Sequence, residues 1–386
     1  MDGLQTSFRR EFHEEVPWDE KMSGVTGARG VGKTTIILQH IKQQGLQGKS
    51  HLYVSLDDIS FPFENLVQLA ETFEKEGGRF LYIDEVHKYR NWSQELKNIY
   101  DQLPAVNVMF TGSSMLDIAR GQADLSRRAV VNRLQGLSFR EFLNIEAGLG
   151  LGFYSLDEIL ARHEEIARDI VSQVKPFAWF DQYLMHGYYP YYLQSKQTYM
   201  QKLGATINQT VESDLVSMYN INVQYIDKIK RFLNLLSSHI PYKPNISKLS
   251  AAIGISWQSV VQYLRYLDEA EIIRIIYQEG KDTRAMSKPE MVYLHHPNHF
   301  YVFGQEAGNK GNIREAFFLN QVCYRHKVEK ASRGDFIVDD RFTFEIGGKN
   351  KTYHQIAGVR ESYIASDDNE YGFENKIPLW LFGFLY

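Results

Sequence analysis

The stretch Lys21-Met-Ser-Gly-Val-Thr26-Gly27-Ala28-Arg29-Gly30-Val31-Gly32-Lys33-Thr34-Thr35 decides the reading of this chain. Gly27 to Thr34 fits G-x-x-x-x-G-K-[ST] at every fixed position, the pattern of a phosphate-binding loop. Its surroundings suit that reading. An apolar strand candidate ends at Thr26, and an amphipathic helix candidate begins near Lys33. Glycines let backbone N–H groups turn inward around phosphate, and the helix N-terminus adds its positive end. Gly27, Ala28, Arg29, Gly30, Val31, Gly32, Lys33, Thr34 and Thr35 are therefore the expected nucleotide cradle. Lys33 would reach the β- and γ-phosphates, and the Thr34 hydroxyl would be a direct Mg²⁺ ligand.

Working outward, Phe80-Leu-Tyr-Ile-Asp84-Glu85 reads as a buried strand ending in two carboxylates. Placed next to the first strand, Asp84 would hold hydrated Mg²⁺. Glu85 would orient and deprotonate the attacking water, as in a hydrolase. Asn107-Val-Met-Phe-Thr111 ends in Gly112-Ser113-Ser114. Ser113 is a candidate sensor of the γ-phosphate or water, and a turn or helix cap explains it equally well. Arg127-Arg128 precedes a fifth strand. Arg128 is a candidate finger reaching a neighbouring subunit's nucleotide in a homo-oligomer; a solvated face is the alternative.

The rest of the first 140 residues alternates strands (21–26, 51–56, 79–83, 107–111, 129–134) with helices (33–43, 64–75, 92–103). That alternation predicts an α/β core with a parallel sheet. Helical periodicity dominates from about 139 to 235, interrupted by the turn Gly187-Tyr-Tyr-Pro-Tyr-Tyr192. After Pro241 and Pro244, the helices Ser247–Ile253 and Ser256–Leu267 flank a turn at Gly254. This reads as a helix-turn-helix, with Glu271–Tyr277 and Met291–Leu294 as a wing. Its second helix would present Ser256, Gln258, Ser259, Gln262 and Arg265 to the major groove of double-stranded DNA. Residues 226–290 hold ten Lys/Arg against seven Asp/Glu, a thin electrostatic footprint for phosphate neutralisation. A protein-docking or lid role is the rival. The expected modules are a P-loop core (1–140), a helical lid (141–235), the winged element (236–295) and a C-terminal domain (296–386).

Composition fits this plan. The 386 residues are 44% hydrophobic and 23% charged, with 28 Gly and 10 Pro, which excludes collagen-like and disordered classes. The length allows two to four domains with their own cores. A net charge of −4 excludes a chain-wide basic field, though not a local patch. Cys323 is the only cysteine, so no internal disulfide is possible, which fits a reducing compartment. Met1–Gln5 has no apolar signal core, and the greasiest stretch, Ile377–Tyr386, is about half of a spanning helix. A soluble, cytoplasmic protein with no membrane partner is expected. His295-His-Pro-Asn-His299 reads as a surface turn, and Leu379–Tyr386 as a buried strand.

With these parts in order, the chain resembles the AAA+ ATPases of the archaeal-type branch found in bacteria, and looks closest to versions typical of gut Bacteroidetes. The resemblance rests on Gly27–Thr35, Leu81-Tyr-Ile-Asp-Glu-Val86, Phe110-Thr-Gly-Ser-Ser114 and Leu125-Ser-Arg-Arg-Ala-Val-Val131. It continues through Leu137-Ser-Phe-Arg-Glu-Phe-Leu143, Gly187-Tyr-Tyr-Pro190, Lys243–Leu249, Gly334-Asp-Phe-Ile-Val338 and Phe344-Glu-Ile-Gly-Gly-Lys-Asn-Lys351. It implies ATP and Mg²⁺ as cofactors, a winged-helix DNA contact, and a C-terminal α/β domain resembling a restriction-endonuclease fold. In that fold, Glu315, Asp335 and Glu345 match the metal-binding acids. The lysine that should follow Glu345 by two is Gly347, with Lys349 as a shifted substitute. This departure argues against DNA cleavage. Three activities follow as expectations: a Mg²⁺-dependent ATPase, a slow nucleotide switch that binds a protein partner, and an ATP-regulated nuclease.

Overall fold

The computed structural model describes residues 8–43, 50–57, 65–115, 125–219, 221–238, 241, 243–280, 289–304 and 310–386. The start of the helix expected from Glu64 and the segment Met1–Gln5 lie outside the described residues. The chain folds as two units, 1–136 with 212–221, and 137–211 with 222–386.

Among the described residues, the first unit is built on a five-stranded parallel sheet. Its strands are β1 (Met22–Gly27), β2 (His51–Ser55), β3 (Phe80–Asp84), β4 (Asn107–Ser113) and β5 (Val130–Arg133), in the order β2-β3-β4-β1-β5. The acid-tipped β3 was expected beside β1. Instead β4 lies between them, because Gly27 pairs in register with Ser113 while Ile83 pairs with Phe110. β1 is buried along its whole length, as a central parallel strand must be. The helices Leu66–Lys75 and Trp92–Gln102 turn Leu66, Leu69, Phe73, Leu96 and Ile99 onto Leu81, Ile83, Val108 and Phe110. These apolar spacings are what carry the helices onto the sheet.

The second unit begins with helices whose ends are written in the sequence. Ser138 and Glu141 form a reciprocal capping box at Phe139–Ala147, and Ser155 and Glu158 repeat it at Leu156–Gln173. Each side chain satisfies an otherwise orphaned N–H. Asn245 and Ser256 cap the helices Ile246–Ile253 and Trp257–Glu269, with Gly254 left-handed between them. Only glycine enters that conformation without strain. An antiparallel pair follows, β6 (Ile273–Ile276) with β7 (Met291–Leu294). The chain closes on a five-stranded mixed sheet of β8 (Val328–Lys330), β9 (Phe336–Val338), β10 (Phe342–Gly347), β11 (Ser362–Ser366) and β12 (Lys376–Pro378). Helix Lys310–Val322 packs against β10.

Two expectations are overturned here. Leu379–Phe384 is buried, but as a 3₁₀ helix and not a strand. The histidine stretch is interior and not a surface turn: His295, His296, Asn298 and His299 are each at most 1% exposed. The Tyr188 hydroxyl pairs with His295 Nε2 (3.3 Å), Tyr189 pairs with His299 (3.1 Å), and Asn298 donates to the carbonyls of Tyr183 and Leu184. Buried polar residues are mostly partnered: Tyr188 and Tyr189 meet His295 and His299, and His296 stacks on the Tyr188 ring at 4.1 Å between centroids. Among the described residues, no helix is long and apolar enough to cross a membrane.

Candidate nucleotide site

The phosphate loop links β1 to helix Lys33–Gln43. Gly30 and Gly32 hold φ at 89° and 102°, values that a side chain would strain. Arg10 ties the loop to the chain after β5, donating to the carbonyls of Val31, Gln135 and Gly136. Lys33 is buried, and its Nζ donates to the carbonyls of Gly27 and Ala28, both at 3.0 Å. These acceptors are neutral dipoles of the loop itself.

Asp84 is the hub beside it. It accepts from the Thr34 hydroxyl (2.8 Å), the Tyr53 hydroxyl (2.8 Å) and the Thr111 hydroxyl. The strand register creates this cluster: Ser55 pairs with Asp84 and Ile83 with Phe110, so the ends of β2 and β3 are level with Thr111, two residues before the end of β4. Thr34 and Asp84, each expected at Mg²⁺, lie within hydrogen-bond reach of one another, and Tyr53 and Thr111 also donate to Asp84. Neither was nominated from the sequence; a hydroxyl within each strand flanking β3 was the available signal.

Glu85 follows in the left-handed region, at φ 58°, a conformation uncommon outside glycine and asparagine. Its amide donates to Thr111 Oγ1 at 2.9 Å. Its carboxylate lies 4.0 Å from Lys33 Nζ and 3.3 Å from His87 Nε2. Burial raises the Glu85 pKa, with Lys33 opposing. Burial also lowers His87 to about 4, so His87 is neutral at pH 7. A carboxylate whose proton affinity is raised in a cleft is suited to accept a proton from water.

Arg29 reaches a partner absent from the sequence reading. It makes a two-pronged contact with Asp214, Nε to Oδ2 at 3.0 Å and Nη2 to Oδ1 at 2.9 Å. Lys88 reaches Asp214 at 3.2 Å. Burial pushes the Asp214 pKa up, but Arg29 and Lys88 hold it below the usual range.

Other nominated residues fall elsewhere. The Ser113 hydroxyl accepts the Met115 amide at 3.3 Å, the turn-capping role. Arg128 is bound within its own unit by Asp101, at 2.8 and 3.1 Å, and lies over the Tyr100 ring. On helix Trp257–Glu269, Gln258 and Gln262 are exposed, Ser259 and Arg265 half-buried, and Ser256 is occupied as the cap. Trp257 was not singled out, yet it is 48% exposed. In the second unit, the lysine on Glu345 is Lys351 and not Lys349, in close ion-pair contact. Lys330 faces Asp335 at 3.6 Å. Burial and the nearby Asp335 raise Glu315 to about 7. Among the described residues, no group of three or more His, Cys, Asp or Glu side chains is arranged to hold a metal ion.

Residues 19–143 match the family described as AAA domain, so the first unit is an AAA-type P-loop domain. Residues 178–293 match a family described only as a domain of unknown function, DUF8612. No curated protein matches the chain. Solved structures with partial likeness include a katanin chain from a study of its self-assembly (23% identity, 37% of this chain and 52% of that chain, TM-score 0.26). AMPPCP-bound DnaA from Aquifex aeolicus is another (17%, 67% and 85%, TM-score 0.25). C. elegans PCH-2 is a third (20%, 37% and 41%, TM-score 0.24). The chain thus spans about half the length of the katanin chain. At such TM-scores these likenesses carry no argument.

Proposed function

We propose that the first unit binds ATP with Mg²⁺ and hydrolyses it. The observation that carries this reading is Asp84, held by Thr34 from the phosphate loop and Thr111 from β4 at one level of the sheet. The donors there are all oxygens, and they suit a hard cation that takes one or two protein ligands together with phosphate oxygens. Thr34 and Asp84 would hold Mg²⁺, which neutralises charge on the transferring phosphoryl group. Lys33 would exchange its backbone carbonyls for phosphate oxygens, a gain because charge-assisted bonds are the stronger ones. Glu85 would take the proton of the attacking water, its burial having raised its affinity for that proton.

The second unit supplies the coupling in this reading. Helices Ile246–Ile253 and Trp257–Glu269, with the β6–β7 pair, would act together as a winged helix. Exposed Trp257, Gln258 and Gln262 would contact double-stranded DNA, so ATP turnover would respond to it.

The test is ATP turnover with and without double-stranded DNA, with Lys33→Ala as the blank. Turnover that rises severalfold with DNA and vanishes in the variant is expected. Turnover indifferent to DNA would sink the DNA contact and point the exposed helix to a protein partner. Absence of turnover with retained binding would leave a nucleotide switch in its place.

A further inference from the structure

One cation of the phosphate loop has no task in the chemistry above. Arg29 stands two residues after Gly27 and four before Lys33, and both prongs of its guanidinium are taken by Asp214. Lys88, three residues past the carboxylate of Glu85, donates to the same Asp214 and to Ser213 Oγ at 3.3 Å. Asp214 is 3% exposed and comes from 185 residues further along the chain than Arg29. It ends the π-helical turn Thr210–Asp214, just before the short helix Leu215–Tyr219. The segment 212–221 clusters with the first unit, while the chain on both sides of it forms the second.

A buried carboxylate holding two cations is stable only while both remain. Guanidinium binds phosphate with the same two-pronged geometry that it uses for carboxylate. The loop amides cradle the inner phosphates and Lys33 reaches the β- and γ-phosphates. A third phosphoryl group adds charge beyond what one lysine and Mg²⁺ balance, and the cations next to the loop are Arg29 and Lys88.

We infer that Asp214 is an internal competitor of the terminal phosphoryl group for Arg29 and Lys88. Arg29 is thereby the residue that distinguishes a nucleoside triphosphate from a diphosphate. A triphosphate takes the two cations and releases the segment 212–221; a diphosphate leaves it in place. Both ends of that segment continue covalently into the second unit, so the release is passed on through the chain. The inference rests on the reading of Gly27–Thr34 as a nucleotide site.

Hydrogen exchange of 212–221 in the full-length protein tests it, measured alone, with Mg²⁺–ADP and with a non-hydrolysable Mg²⁺–ATP analogue. The triphosphate should speed exchange about tenfold, a usual size for coupling between sites, and ADP less than about twofold. Asp214→Asn should exchange fast without nucleotide and bind the analogue about tenfold more tightly, with ADP affinity unchanged. Arg29→Lys keeps the charge but loses the fork, and should erase the difference between the two nucleotides; it decides the matter if Asp214→Asn does not fold. Binding of both nucleotides with no response from the segment, or with slower exchange under the triphosphate, would overturn this inference alone. Failure of the unaltered protein to bind either nucleotide would overturn the nucleotide-site reading, and this inference with it.

Discussion

The two units handle polar groups in opposite ways. In the first, Lys33 of the phosphate loop and Asp84 at the end of β3 make their hydrogen bonds with carbonyl and hydroxyl dipoles. In the second, the polar groups lie inside. Glu345 is fully buried against Lys351, and a histidine–tyrosine–asparagine network fills the space beneath β7 and helix Pro297–Val302. A cation satisfied by dipoles can trade them for phosphate at little loss. A cation in contact with a buried carboxylate can leave only where that carboxylate is released as well, as inferred for Asp214 on the segment 212–221. Glu345 sits on the middle strand of its sheet, where losing Lys351 would strand a charge in low dielectric. The same residue types therefore make an exchangeable site in one unit and a fixed structural element in the other.

The largest effect that would sharpen this contrast is expected at Glu85. Glu85→Gln should lower ATP turnover on the order of 10³-fold while leaving thermal stability and ATP binding nearly intact. Unchanged turnover would remove Glu85 as the base and favour the slow switch.

Acid should expose the interior network next. Burial lowers His299 to about 4 and His296 well below its ordinary value. Above pH 6.5 these histidines are neutral in both folded and unfolded chains and cost nothing. As pH falls from 6.5 toward 4, the unfolded chain gains protons that the folded chain refuses, so stability declines. His299 alone accounts for about 3 kcal/mol of that loss. Urea unfolding at pH 7.5 and pH 5 should show the decline, and His299→Gln should flatten it. An equal pH slope in the variant would mean that the network is not what titrates.

Lys351→Met probes the fixed pair directly. It strands Glu345 and should cost about 2 kcal/mol, below the range for fully buried pairs because Lys351 is partly exposed. Lys33→Met in the first unit should change stability far less. Equal losses would break the comparison.

The smallest effect belongs to Arg128. With its guanidinium held by Asp101, Arg128→Ala should change turnover less than about threefold, where loss of a finger acting in trans costs about 10³-fold or more. A large loss that depends on protein concentration would restore the trans role.

Much of this was readable from local sequence. The phosphate loop is one contiguous stretch, so its glycines, its lysine and the helix behind it needed no partner to be recognised. The capped helices Phe139–Ala147 and Leu156–Gln173 and the turn at Gly254 were equally local, since a cap is satisfied within three residues. The carboxylates of Asp84 and Glu85 stood out as charges ending an apolar run.

What only the tertiary structure decided depends on distant pairing. Nothing in β1 or β3 states that β4 lies between them; that follows from which strands pair in register. His295–His299 looked like surface because polar residues usually are, and burial became possible only when Tyr188, Tyr189 and Tyr199 met them. Lys349 and Lys351 are two residues apart, and the path of the chain after β10 chose the second. Asp214 carried no signal at all. An aspartate in a helical stretch becomes a partner of the phosphate loop only when the chain brings it back across 185 residues. The sequence determines charge and local backbone preference, while the identity of the counter-charge is settled by chain topology.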